Sequence, residues 1–185
     1  SKDLVCISGN VGAAFLGMSL LEREKRKFEK AGNVTGQPDL EKYRMLVGAY
    51  LKPELNPDIV GQFSDSSITP SYGYLVNRGL GDAVRRLHRD SGLGVKLYTD
   101  KIPFEGNSFE VGKILDIDPI SAAMNGGDDF RLLYVIPLSQ YETFRHDFQI
   151  FSIIGHIAKP DVGAVLVTPE GAELPIKAQG WNNDE

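Results

Sequence analysis

"MNGGDDFRLLYVIP", Met124 to Pro137, places two glycines and two carboxylates directly before an apolar run that reads as a strand. Glycine lets the backbone turn sharply or come close to a ligand. Adjacent aspartates hold a hard cation, capture a cationic ligand, or accept hydrogen bonds from backbone amides in a turn. On four residues alone, Gly126-Gly127-Asp128-Asp129 leaves all three readings open. The strand that follows is clearer: five apolar or aromatic residues behind Arg131, closed by a proline, fit a buried β-strand.

Outward from this strand, the chain alternates between the two periodicities. "DLVCIS" (Asp3–Ser8) reads as a strand that turns through "GNVG" into a helix over residues 13–32, with Phe15, Met18, Leu21 and Lys25 at helical spacing and Leu16 and Leu20 alongside. Its tail, "EREKRKFEK", reads as a solvated helix end, and Gly32-Asn33 as the stop. Asp39 is placed to cap a helix over residues 40–51 that ends before Pro53, and a shorter helical stretch runs from Asn56-Pro57 to Phe63. "YGYLV" (Tyr72–Val76) is a strand, followed by a helix with Leu80, Val84 and Leu87 on one face. "GVKLYTD" is a further strand. Ser108 stands as the cap of a short helix and Ser139 as the cap of "QYETFRHDF". "FSIIGHIA" and "GAVLVTPEGAELPI" close the chain as strands, the second folded at Pro169-Glu170-Gly171. This order predicts an α/β (α+β) domain, with a mixed sheet and helices packed on one face.

Composition bounds the function. At 185 residues the chain is one domain, and its 42% hydrophobic and 24% charged content is ordinary for a globular protein. A net charge of -5 gives no general pull toward nucleic acid or an anionic membrane. No apolar run reaches the roughly 20 residues of a membrane span. With no signal pattern at the start, the expectation is a cytoplasmic protein. The lone Cys6 excludes an internal disulfide and sits in an apolar run, as an inert thiol does. His88, His146 and His156 show no ligand spacing, and no catalytic residue is assigned. "SGNVG" (Ser8–Gly12) lies between strand and helix, where exposed amides can bind an anion; close packing of that turn is the plainer reason for its glycines.

Taken together, "DLVCISGNVGAAFLGMSLLERE", "YLKPE", "SGLGVKLYTDKIP", "MNGGDDFRLLYVIP", "IIGHI" and "AQGWN" resemble, in this order, the C-terminal half of thiamine-monophosphate kinase. That family is related to aminoimidazole ribonucleotide synthetase, and the resemblance implies the fold of that enzyme's C-terminal domain. It implies a parent protein that uses ATP and Mg2+ to phosphorylate thiamine monophosphate to thiamine diphosphate. Residues 1–185 would then be a single C-terminal domain, without the N-terminal domain that binds nucleotide and magnesium and forms the homodimer. That missing domain is the partner the resemblance implies.

The resemblance also assigns residues. Gly126, Gly127 and Asp128 match the family's Gly-Gly-Glu-Asp-Tyr tract, so Asp128 would face the cationic thiazolium of the substrate, with Trp181 as an aromatic second wall. Phe130 stands for the tyrosine, and Arg131 stands where the family often has glutamate. The family's Asp-Ile-Ser-Asp-Gly-Leu motif falls on Leu75-Val76-Asn77-Arg78-Gly79-Leu80. Both its carboxylates are replaced, so no metal ligand is expected here. Asn77, Arg78 and Gly79 are left as contacts to a nucleotide phosphate. The expectation is an isolated chain that binds no tight cofactor and is inactive as a kinase. The alternative is a non-catalytic thiamine-phosphate-binding or assembly module with a degenerate magnesium site. A hydrogenase-maturation or selenophosphate-forming relative is a third reading.

Overall fold

The computed structural model describes residues 2–32, 36 and 38–180. Its centre is a seven-stranded sheet of β1 (Leu4–Ile7), β2 (Tyr72–Val76), β3 (Gly94–Tyr98), β4 (Arg131–Ile136), β5 (Ser152–Ala158), β6 (Ala164–Val167) and β7 (Glu173–Pro175), in the order β2-β4-β1-β5-β3-β6-β7. All neighbours are antiparallel except β3 and β6, so the sheet is mixed, as the pattern predicts. The closing hairpin forms where expected: the Gly171 amide donates to the Thr168 carbonyl at 2.9 Å, with Gly171 at φ 86°.

Among the described residues seven α-helices surround the sheet: α1 (Ala13–Lys30), α2 (Arg44–Leu51), α3 (Ile59–Asp65), α4 (Leu80–Ser91), α5 (Ser108–Leu115), α6 (Pro119–Asn125) and α7 (Tyr141–Asp147). The main helical layer lies on one face. There α4 and α6 bury Leu80, Val84, Leu87, Ala123 and Met124 against Val5, Ile7, Leu133 and Val135. Outside them, α1, α2 and α5 share a cluster built on Leu16, Leu20, Leu46 and Val111. The opposite face is not bare. Short α3 and α7 pack Ile59, Phe63 and Phe144 on Cys6, Ile136 and their neighbours. β1 and β4 carry apolar side chains at consecutive positions, and alternation sends these to both faces, so the central strands need cover on both. Burial pushes the Cys6 thiol up to about 12, consistent with an inert group.

Several local expectations are corrected. The buried stripe of α1 runs through Ala13, Leu16, Gly17 and Leu20, so the two leucines read alongside form its centre, while Phe15, Met18 and Leu21 are only half-buried. Gly17 sets that choice, because a Cβ there would lie 2.0 Å from the Leu46 carbonyl oxygen, so α2 crosses directly over it. Asp39 accepts from the Glu41 amide at 3.2 Å, ahead of a 3-10 turn (Glu41–Tyr43) that leads into α2, which has no side-chain cap of its own. Ser108 is the first residue of α5 rather than its cap, and its buried hydroxyl has no hydrogen-bond partner. Ser139 lies inside a 3-10 turn before α7 and caps nothing. α6 was missed, although Asp118-Pro119 is a strong start: the Asp118 carboxylate accepts from the Ile120 and Ser121 amides at 3.3 and 3.0 Å.

The α1–α2 crossing gives a direct test. Gly17→Ala should lower stability by about 1–3 kcal/mol in urea unfolding, as overpacking against fixed backbone does, whereas Gly61→Ala, with open space around it, should not.

Candidate functional site

The two aspartates of the glycine turn do different work. Asp129 is buried, and its carboxylate accepts from the Gly12 amide at 2.8 Å and the Ala14 amide at 3.2 Å. Those amides open α1, so the anion that the strand–helix turn binds is a side chain of the same protein, 117 residues away. Gly12, at φ 80°, turns the chain into α1, and a Cβ there would lie 3.0 Å from the Ala123 nitrogen. Close packing and anion capture are thus both met at Ser8–Gly12. Burial raises the Asp129 carboxyl to about 6, with the two amides and the nearby Arg131 pulling the other way.

Asp128 points outward. It is exposed, sits at φ 60°, and its amide donates to the Asn77 carbonyl at 2.9 Å. Gly127 (φ 77°) and Phe130 (φ 51°) share the left-handed region, which glycine and, less readily, aspartate tolerate, but which is uncommon for an aromatic. The amide bond to Asn77 brings the turn against residues 77–79, so the sequence-assigned Gly126, Gly127, Asp128, Asn77, Arg78 and Gly79 form one group. Trp181 lies outside the described residues. The last described residue before it, Gly180, packs against Arg78: a Cβ on Gly180 would lie 3.2 Å from an Arg78 guanidinium nitrogen.

The glycines of this group are held by packing. A Cβ on Gly79 would lie 2.4 Å from the Met124 carbonyl oxygen, and one on Gly126 would lie 2.3 Å from the Ala122 carbonyl oxygen. Arg131, at the start of β4, donates from Nε to the Asn10 carbonyl at 3.1 Å and approaches Glu54 at 3.8 Å. The Leu132 amide donates to the buried Ser8 hydroxyl at 2.8 Å. These contacts clamp the 8–12 loop onto the strand that carries the aspartates.

Beside the turn opens a cavity of about 680 Å³, lined by Phe15, Ser121, Asn125, Gly126, Lys177 and Gln179 among others. Apart from Gly126, none of these was singled out as a site residue. Phe15 stands in the sequence only as a position at helical spacing in α1, and Ser121 and Asn125 belong to the overlooked α6. Among the described residues no group of three or more His, Cys, Asp or Glu side chains is placed to hold a metal ion. The two positions matched to the family's metal aspartates, Leu75 and Arg78, offer magnesium no carboxylate, and within the turn Asp128 is the exposed one. Both Asp129 oxygens already accept amides, Leu75 projects 41% exposed with no donor atom, and Arg78 is a cation.

Removing the cap tests this account. Asp129→Ala should cost about 2 kcal/mol at pH 7, because two amides lose their acceptor. Asp129→Asn should give a pH signature. The folded carboxyl, near 6, binds its proton more tightly than an ordinary aspartate near 3.8. Protonated Asp129 therefore favours the fold fully below about pH 4. Relative to the Asn variant, the wild-type chain should lose stability as pH rises through 6, measured by urea unfolding at several pH values.

No protein-family model matches the chain. It is 26% identical to the thiamine-monophosphate kinase of Pyrococcus horikoshii, over 98% of this chain and 50% of that protein. It is 23% identical to the same enzyme of Aquifex aeolicus, over 77% of this chain and 42% of that one. Solved structures agree. The Aquifex aeolicus enzyme superposes with a TM-score of 0.71 at 20% identity, over 94% of this chain and 52% of that one. AaThiL complexed with AMPPCP and TMP gives 0.71 at 21% identity, over 94% and 49%. The hydrogenase maturation protein HypE of E. coli gives 0.68 at 14%, over 98% and 51%. The chain thus spans about half the length of the relatives it matches. In sequence it is similar to proteins named thiamine-monophosphate kinase, and it carries the aminoimidazole ribonucleotide synthetase-like fold found in those enzymes and in HypE.

Proposed function

We propose that this chain is the C-terminal domain of a thiamine-monophosphate kinase-like protein, whose intact form transfers a phosphoryl group from ATP to thiamine monophosphate. The observation that carries the reading is the joint between the 126–128 turn and the 77–79 loop, through the Asp128 amide and the Asn77 carbonyl. It sets an exposed carboxylate beside an arginine and the N-terminal end of α4, next to a cleft with an aromatic wall at Phe15. A carboxylate suits a thiazolium cation, and an arginine with helix amides suits a phosphate. The complex of AaThiL with AMPPCP and TMP supports the same pair of ligands.

On this reading the chain holds the substrate side of the site. The nucleotide and magnesium side comes from an N-terminal domain. Exposed Leu51 and Leu55 flank Glu54, which reaches Arg131, and exposed Leu75 begins the altered motif. They offer apolar surface to that domain or to a second copy of the chain. The protein works in the cytoplasm, and no described helix is long and apolar enough to cross a membrane.

One set of observations favours a second reading, a non-catalytic module that binds a thiamine phosphate. Leu75 and Arg78 cannot ligate magnesium, and Asp129 is committed to α1. Phosphoryl transfer relies on metal and donors to neutralise developing charge.

Two measurements test the proposal. The purified 185-residue chain should form no thiamine diphosphate from ATP, and ATP-dependent product would overturn the assignment of this chain to the substrate side alone. Calorimetric titration with thiamine monophosphate should show binding that does not need magnesium. Asp128→Asn, which keeps the left-handed backbone tolerance, should weaken it by about tenfold with little change in stability. Equal binding by the variant would remove Asp128 from the site.

A further inference from the structure

The outer face of the sheet carries a second cavity, of about 570 Å³, near the start of β1. It falls within the roughly 300–1,000 Å³ common for small-molecule sites. Its apolar floor is Leu4, Ile153 and Leu138, and one wall is the ring pair Tyr98 and His156. The two rings stack with centroids 5.7 Å apart and planes at 25°, and the Tyr98 hydroxyl lies 3.5 Å from His156 Nδ1.

A backbone irregularity aims His156 there. Val5 pairs with Gly155 but Cys6 pairs with Ile153, so Ile154 is an extra residue in β5. In a regular strand Ile154 and Ile157, three apart, would face opposite sides. Here both are buried in the core under α4 and α6. The bulge flips the strand by one, so His156 pairs across β1 and β3 with Leu4 and Lys96 on the outer face. Gly155 is required beside it, since a Cβ would lie 2.0 Å from the Lys96 carbonyl oxygen.

The charged side chains among the described lining residues are lysines. None of the described lining side chains is acidic, although the whole chain has a net charge of -5, and Lys2 and Lys101 stand exposed at the rim. Of the nearby acids, Asp3 accepts from the Leu138 amide at 3.2 Å and Glu173 pairs with Lys96, while exposed Asp100 lies 3.9 Å from Lys101 at the rim, where an incoming anion would compete with it. Burial, with Lys96 and Lys2 nearby, lowers the pKa of His156, so the imidazole stays a neutral, stackable ring.

We propose that this cavity binds a small planar aromatic anion, a ring bearing one carboxylate or phosphate. The ring stacks on Tyr98 and His156 over the Leu4–Ile153 floor, and the anion meets Lys2 and Lys101. The site is separate from the proposed kinase cleft, which opens among α1, α6 and the chain's tail on the helix-covered side of the sheet.

The test is a titration of the 15N-labelled 185-residue chain with 1-naphthoate, 1-naphthyl phosphate and neutral 1-naphthol. Saturable amide shifts are expected at Leu4, Tyr98, Gly155 and His156 with the two anions, with 1-naphthol about tenfold weaker. The stronger of the two anions identifies the charged group the site prefers. Lys101→Gln, at an exposed position, should narrow the gap between anion and naphthol, and Tyr98→Ala should weaken all three probes. Thiamine monophosphate should move Asp128 and Arg78 but not these residues, which keeps failure of one site distinct from failure of the other. Equal affinity for naphthol, unchanged anion preference in Lys101→Gln, or shifts only outside these residues would overturn the proposal.

Discussion

The structure depends on one buried carboxylate. Asp129 leaves the start of β4, crosses to the N-terminus of α1 and accepts the Gly12 and Ala14 amides. A helix start buried without an acceptor would be costly, and a buried carboxylate without donors would be costlier still. Each therefore makes the other tolerable. The pairing locks the β1–α1 turn to the β4 strand in the middle of the sheet. Once it is made, Asp129 is lost to metal or substrate, and the backbone before it must coil through left-handed geometry that presents Asp128 to solvent.

That division of labour shapes the candidate site. The glycines at 79 and 126 are needed because backbone crowds them, and through them α6, the β2–α4 turn and the aspartate turn sit against one another. Asp128 and Arg78 are left as the charged groups facing outward from this group. Such a surface is suited to ligand recognition and poorly suited to holding a hard cation.

The outer face follows a different logic. A single extra residue in β5 keeps two isoleucines in the core and sends the intervening histidine to the other side. A polar ring beside Tyr98 results, opposite Leu4, where an unbroken register would have placed Gly155.

By itself, the sequence determined the order of the strands and of every helix but α6, the mixed sheet and the closing hairpin, because these rest on short-range periodicity and turn chemistry. It also carried the resemblance to the kinase family and marked Gly126–Asp128 and residues 77–79 as places of interest. Only the tertiary structure decided what each residue does there. The partner of Asp129 lies 117 positions away, the helical face of α1 was chosen by a backbone crossing at Gly17, and His156 was turned outward by strand register. Pairings over such distances leave no local trace, since they depend on which groups folding brings within hydrogen-bond or van der Waals reach.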